Sequence, residues 1–293
     1  MARKSRTTEV SISTVTVPTR DGYNLSVKTF GPREGRPVVF LHGFPEFWYG
    51  WRKQIPFFEA QGYFVVVPDQ RGYNDSDKPE EVSDYALPNL AADVVSIIET
   101  LKLDKPVLVG HDWGAAAAWQ TAIEYGNLLS KLVILNVPHP RAMIKNLVTN
   151  PLQFFKSWYM YFFQLPFLPE RLIEWVGYER FAEGLKRTSR RGTFEDTELA
   201  KYVEAWSKPG AMGSMINWYR AAFRYPELGD DVHVYVPTLI LWGEKDAFLE
   251  ARMAEQSTQY CESAEVRFFP EATHWLQHEE SEAVNRAILE FIS

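Results

Sequence analysis

Cysteine is almost missing from this chain. Cys261 stands alone, so no internal disulfide can form, and such a chain suits a reducing, cytoplasmic compartment. Excess positive charge is missing too: 31 Lys and Arg face 38 Asp and Glu, for a net charge of −7. That balance argues against nucleic acid as a partner. No apolar run approaches the roughly 18 uninterrupted residues a membrane-spanning helix needs, so no integral membrane segment is expected. The opening Met1-Ala-Arg-Lys-Ser-Arg is basic but runs into Thr7, Thr8 and Glu9 without an apolar stretch. It reads as a solvated terminus rather than a secretory signal. Internal repeats and low-complexity segments are also lacking. What is present is 293 residues, 46% of them hydrophobic, enough to bury a sizeable core in one or two domains.

The apolar residues are arranged in two different ways. Residues 9–17 and 22–30 alternate apolar and polar positions around Arg20-Asp21-Gly22, the signature of a hairpin. From Val38 the pattern becomes continuous, at Val38–Leu41, Tyr63–Val67, Val107–Val109, Leu132–Leu135, Leu239–Trp242 and Val266–Phe269. Continuous runs predict strands covered on both faces, as in a parallel sheet with crossover helices. Helical spacing fits 88–102, 113–125, 248–258 and 275–291. Between Val137 and Val236, roughly 100 residues carry no buried-strand pattern, only aromatic-rich helical stretches punctuated by proline. The expectation is a core of 1–137 plus 232–293, with a helical cap of 138–231 inserted between two strands. A site should then lie at the carboxyl ends of the strands, beneath the cap.

Several clusters sit at those ends. Gly110-His111-Asp112-Trp113-Gly114 follows the strand Val107–Val109 and leads into an alanine-rich helix. This is a strand–turn–helix elbow that can project one side chain, here Asp112. Two readings stand at this point: Asp112 as a nucleophile, or Asp112 as a cap of the following helix. His42-Gly43-Phe44-Pro45-Glu46 forms a tight turn whose Phe44 N–H, with that of Trp113, suits an oxyanion hole, while His42 braces the loop. Asp69-Gln70-Arg71-Gly72 reads as a structural loop wall closed by Ser76-Asp77-Lys78-Pro79. Asp246, in Gly243-Glu244-Lys245-Asp246, suits an acid that orients a histidine, and it is preferred to Glu244; the other strand end offers only Asn136, which carries no charge. His274 follows the last strand, completing the order nucleophile, acid, histidine. His278 lies four residues on, but no Cys–His or carboxylate cluster completes a metal site, so neither metal nor cofactor is expected. Two insert segments, Trp158–Pro166 and Asn217–Arg220, hold tyrosines among apolar residues, either as core aromatics or as phenolic donors into a pocket. Lys186–Arg191 reads as a solvated loop.

With these residues together, the chain resembles the α/β-hydrolase-fold epoxide hydrolases, in the soluble, cap-bearing branch. The matching motifs are His42–Glu46 with Trp48 and Trp51, Asp69–Gly72, Gly110–Gly114, Phe163-Gln164-Leu165-Pro166, Trp242–Asp246 and Thr273-His274-Trp275. They span about residues 20–290. The resemblance implies a covalent mechanism without cofactor: Asp112 opens an epoxide, Tyr159 and Tyr219 hydrogen-bond its oxygen, and His274 with Asp246 activates water to free a vicinal diol. The family's spacing from Gln164 designates Tyr159 rather than Tyr161 as the first tyrosine. Two other classes compete. A haloalkane or haloacid dehalogenase shares the fold and the aspartate, but it does not need paired phenols, and the fluoroacetate type wants arginine where Trp113 stands. A non-catalytic binding protein of this fold would not need the full set. Phe154, Phe155, Phe162, Phe163 and Phe167 suggest an apolar tunnel suited to aryl or long-chain epoxides, and the expected partners are a small apolar epoxide and water. Monomer and homodimer stay open, and His274 is expected to titrate near the ordinary histidine value of about 6.5 unless the site shifts it.

Overall fold

The computed structural model describes residues 12–226 and 229–293. Its eight strands form one sheet in the order β1-β2-β4-β3-β5-β6-β7-β8. These are β1 Ser13–Pro18, β2 Asn24–Phe30, β3 Pro37–Leu41, β4 Phe64–Pro68, β5 Val107–His111, β6 Lys131–Leu135, β7 Thr238–Gly243 and β8 Ala264–Phe269. β1 and β2 form the antiparallel hairpin, and β2 also meets β4 antiparallel. The remaining pairings are parallel. Residues 9–11 of the expected first strand lie outside the described residues, as does the basic terminus.

The continuous apolar runs bury both faces because alternate side chains feed two separate cores. From β3, Val39 and Leu41 pack with helices α2 (Leu87–Leu101) and α3 (Trp113–Tyr125), whereas Val38 and Phe40 pack on the other face with Ile55, Phe58, Val284 and Ile288. Those last residues belong to α1 (Ile55–Ala60) and to the C-terminal helix. β8 departs from expectation: it is an edge strand, half-buried, with Arg267 paired to Glu265 and Glu290 at its rim.

Between β6 and β7 the described chain runs through seven helices: α4 Pro140–Thr149, α5 Pro151–Lys156, α6 Trp158–Phe162, α7 Leu168–Val176, α8 Tyr178–Thr188, α9 Asp196–Trp206 and α10 Ala211–Arg224. Prolines at or next to the starts of α4, α5 and α7 account for the segmentation, since proline is accepted in a first turn but not inside a helix. Lys186-Arg187-Thr188 belong to the last turn of α8 rather than to a loop. Arg190, just beyond, pairs with Glu280 at 2.6 Å and so ties the insert to the core. After β7 come α11 (Arg252–Thr258) and, after β8, α12 (Leu276–Glu279) and α13 (Ser281–Ile292). Two expected helices are therefore shorter. The helix expected from 248 starts at Arg252, because the N–H groups of Phe248 and Leu249 both donate to Oδ1 of Asp246. The one expected over 275–291 breaks at Glu280, whose backbone (φ −119°, ψ 38°) is not helical.

Candidate active site

The elbow between β5 and α3 carries Asp112 in a conformation that its residue type disfavours, with φ +49° and ψ −125°. The neighbours leave it no room to relax. A Cβ on Gly114 would collide with the Leu41 and His42 carbonyls, and one on Gly43 would lie 2.7 Å from Asp112 Oδ1. The Asp112 side chain makes no capping hydrogen bond to α3. Instead it points away from its own helix. The Phe44 N–H donates to its Oδ1 at 2.7 Å, and its Oδ2 lies 3.4 Å from Nε2 of His274. The first N–H groups of α3, that of Trp113 among them, have no intrahelical partner to claim them.

His274 is held from its other side by Asp246, with Nδ1 and Oδ2 at 2.7 Å. That carboxylate is itself fully engaged. Its Oδ1 accepts from the N–H groups of Phe248 and Leu249, and Asn136 donates to Oδ2 at 2.6 Å. Asn136 also accepts the Gly243 N–H at 2.9 Å through Oδ1, locking the end of β7. Sequence reasoning dismissed Asn136 because it cannot carry charge; its amide is the bracket for the residue that does. A polar side chain at the end of a central strand, aligned with Asp246, was the available signal.

These contacts set the charge state. Burial disfavours a charged imidazole, but Asp246 and Asp112 together outweigh it and raise His274 to about 10. The expected ordinary value is thus corrected: lying between two carboxylates, His274 is an imidazolium at neutral pH in the free protein. Burial acts to raise the Asp112 carboxyl, yet His274 and the Phe44 N–H hold it below the usual carboxylate range. Burial, reinforced by the Asp112 charge, pushes both Tyr159 and Tyr219 well above the usual phenol range, so both stay protonated donors.

Asp112, His274, Tyr159 and Tyr219 line one cavity of about 370 Å³, whose walls include Phe44, Trp158, Phe162, Phe163, Phe181, Leu185, Phe248 and Trp275. A smaller cavity of about 90 Å³, walled by Trp113, Val137, Met143 and Leu249, also reaches Asp112 and both tyrosines. The tyrosine rings come from α6 and α10, with centroids 5.9 Å apart. Tyr161 points elsewhere, its ring against Phe154 and Phe223. Of the five phenylalanines expected to form a tunnel, only Phe162 and Phe163 line it. Phe154, Phe155 and Phe167 are exposed on the outside of the insert.

The remaining motifs brace this arrangement. His42, lowered to about 4 by burial and so neutral, accepts the Gln70 N–H at 3.1 Å. Asp69 accepts the Trp48 N–H at 3.0 Å and is raised to about 6 by burial, and Arg71 is clasped by Asp21 and Asp93. Glu244 leaves its Lys245 neighbour to pair with Glu271. His278 does not join His274. It turns inward, Nε2 to Glu46 at 2.8 Å, and Tyr202 of α9 donates to the same carboxylate oxygen at 2.7 Å. Glu46 is buried as a charge among His278, His111, Gln277 and Tyr202, and sequence reading gave it no such role. Its signal would have been an acid in an otherwise apolar turn. Trp206 of α9 donates to the Pro45 carbonyl, so the insert grips the loop that presents the Phe44 N–H.

Comparison with known proteins follows the same lines. The family profile described as the alpha/beta hydrolase fold matches residues 36–281. The chain is 38% identical to the AB hydrolase superfamily protein YfhM of Bacillus subtilis, over 93% of this chain and 95% of that one. It is 39% identical to Epoxide hydrolase 4 of Mus musculus, over 88% of this chain and 73% of that one. Among solved structures, the epoxide hydrolase of Bacillus megaterium in complex with an inhibitor superposes with a TM-score of 0.82 at 29% identity, covering 96% of this chain and 99% of that one. By fold, by sequence and by the company its structure keeps, the chain belongs to the epoxide hydrolase family of α/β-hydrolase-fold proteins.

Proposed function

We propose that this protein hydrolyses epoxides to vicinal diols through an ester formed on Asp112, with core 1–137 and 232–293 carrying the nucleophile and the insert 138–231 serving as a cap. Aspartate suits this chemistry because it is already an anion at neutral pH and can displace at a saturated carbon, whereas serine would need a base. Oδ1 of Asp112 is engaged by Phe44, so Oδ2 is the oxygen free to attack. As its bond to carbon forms, the carbon–oxygen bond of the ring breaks, and the departing oxygen is hydrogen-bonded by Tyr159 and Tyr219. It takes a proton from a phenol, which regains one as His274 gives up its own.

The ester has no negative charge. Once Asp112 is esterified, His274 keeps only Asp246 as a carboxylate partner, and its affinity for a proton falls toward the range of a working base. His274 then takes a proton from water, and the resulting hydroxide adds to Cγ of Asp112. The oxyanion develops on Oδ1, already against the Phe44 N–H and within reach of the Trp113 end of α3. Collapse breaks the Cγ–Oδ2 bond. The diol oxygen takes the proton from His274, and the proton left on the new Asp112 carboxyl group passes to His274, restoring carboxylate and imidazolium. No cofactor enters.

The observation that carries this reading is the tyrosine pair lining one cavity with Asp112 and His274. Displacement of a halide would leave a stable anion with no need of two phenols. The apolar walls suit a small apolar epoxide, and a lone, half-buried Cys261, its thiol pushed up to about 11 by burial, suits a reducing cytoplasm. The test is turnover of an aryl epoxide beside a haloalkane. Diol without halide release is expected; halide release would make the protein a dehalogenase, and neither product would make it a binding protein.

A further inference from the structure

The insert has an outer face that the chemistry does not use. Among the described residues, eleven of the fifteen large apolar side chains left exposed fall between positions 144 and 175. Scattered apolar residues are normal on a protein surface, but a concentration of this kind marks an interaction site. On α7, Leu168, Leu172 and Trp175 recur at helical spacing, with Trp175 83% exposed. Phe155, in α5, is 70% exposed, and its neighbour Phe154 packs on Tyr161 with ring centroids 5.2 Å apart.

Two observations say what this face meets. The first is charge. The chain carries −7 overall, yet from residue 125 to 169 it has no Asp or Glu, while Arg141, Lys145 and Lys156 fall in the same helices. Lys156 is answered by Glu250 of the core; Lys145 stands exposed beside Ile144. On α7, Glu170 is neutralised by Arg220, and Glu174 lies off the row of Leu168, Leu172 and Trp175. The second is the cavity mouth. Trp158 lines the cavity that holds Asp112 and His274, and it is also 65% exposed on this face.

We propose that the face formed by α4 to α7 docks on an anionic lipid bilayer, with the cavity opening against it. Amphipathic helices bearing tryptophan and phenylalanine on one side and cations at the flank settle at the headgroup boundary, where apolar burial and attraction to anionic lipid add. A second copy of the chain fits this face less well. A two-fold contact would set the Arg141 and Lys145 of each copy against a face whose carboxylates are confined to α7, where Glu170 is already paired with Arg220 and Glu174 lies off the apolar row. The consequence for substrate rests on the reading of the protein as an epoxide hydrolase: an apolar epoxide dissolved in the bilayer would reach Asp112 past Trp158. The docking itself does not depend on that reading.

The test is co-sedimentation of the full chain with phosphatidylcholine vesicles, with and without an equal part of phosphatidylglycerol. Wild type should partition onto the anionic vesicles, less onto neutral ones, and less again as salt rises. Phe155→Glu with Trp175→Glu should weaken partitioning by about tenfold or more, the loss expected for removing a buried aromatic side chain. Lys145→Glu should weaken it on anionic vesicles alone. All these variants should keep wild-type turnover of a short, water-soluble epoxide. If the double variant does not fold, the lipid and salt dependence of wild type and the Lys145→Glu protein still decide. Absence of wild-type partitioning, or partitioning undiminished in the variants, overturns the proposal. So does a dimer in sedimentation velocity that these substitutions abolish while vesicles go unbound, which would make the face an interface between copies.

Discussion

Replacing Asp112 by asparagine should change the acidity of a different residue. Asparagine keeps the shape of the side chain and an acceptor oxygen, but it removes the negative charge 3.4 Å from Nε2 of His274. At an effective dielectric of about 20, that charge is worth on the order of 5 kcal/mol to the imidazolium, or about three and a half pH units. Part of this is returned by the amide acceptor, so His274, at about 10 in the native protein, should titrate near neutrality in Asp112→Asn, a drop of about three pH units. The uncharged asparagine stands in for the proposed ester, and in the proposed mechanism the same drop converts His274 from a proton holder into a base during turnover. The assay is NMR titration of the His274 ring in both proteins, with His139, lowered to about 4 by burial and not acted on by Asp112, as an internal control that should not move. Titration of His274 at an unchanged pH in the variant would refute the reasoning, because the second step would then lack its base at neutral pH.

Three further outcomes follow from the same geometry. Tyr159→Phe and Tyr219→Phe should each slow ester formation, by up to the roughly 10²–10³ that one oxyanion donor is worth, and the double variant should nearly stop it while ester hydrolysis is spared; single-turnover kinetics separates the two. Gly43→Ala would place a methyl group 2.7 Å from Asp112 Oδ1, so the carboxylate must shift, and turnover should fall by about 10²-fold in steady-state assay with the fold retained. Stability should decline on the alkaline side. A histidine raised from 6.5 to about 10 contributes stability that is complete below pH 6.5 and is lost as pH rises through about 10, and denaturant titration should show that loss shrinking in Asp112→Asn.

How much of this was readable beforehand depends on whether a residue's role is local. The strands could be read because Val38–Leu41, Val107–Val109 and Leu239–Trp242 are covered on both faces, and continuous apolar runs say so directly. The positions of Asp112 and Asp246 could be read because each follows such a strand, and that of His274 because it follows the last strand, the half-buried edge strand β8. The roles of Asn136 and Glu46 could not, since their partners lie 110 and 156 residues away. The acidity of His274 was out of reach for the same reason: two carboxylates from different loops decide it. The phenylalanines show the limit of composition, because only the turn of each short helix sends Phe162 and Phe163 inward and Phe155 and Phe167 outward. Helix ends were misjudged where backbone N–H groups had a better acceptor than the helix, as at Phe248 and Leu249.

The central claim is that Asp112 becomes covalently attached to the substrate and that His274 is needed only to release it. His274→Gln, mixed with saturating aryl epoxide and read by intact-protein mass spectrometry, should accumulate a species heavier by one epoxide, with the added mass on the peptide that contains Asp112. A variant that stays at its unmodified mass while turnover is lost, or one labelled on any other residue, would contradict the account.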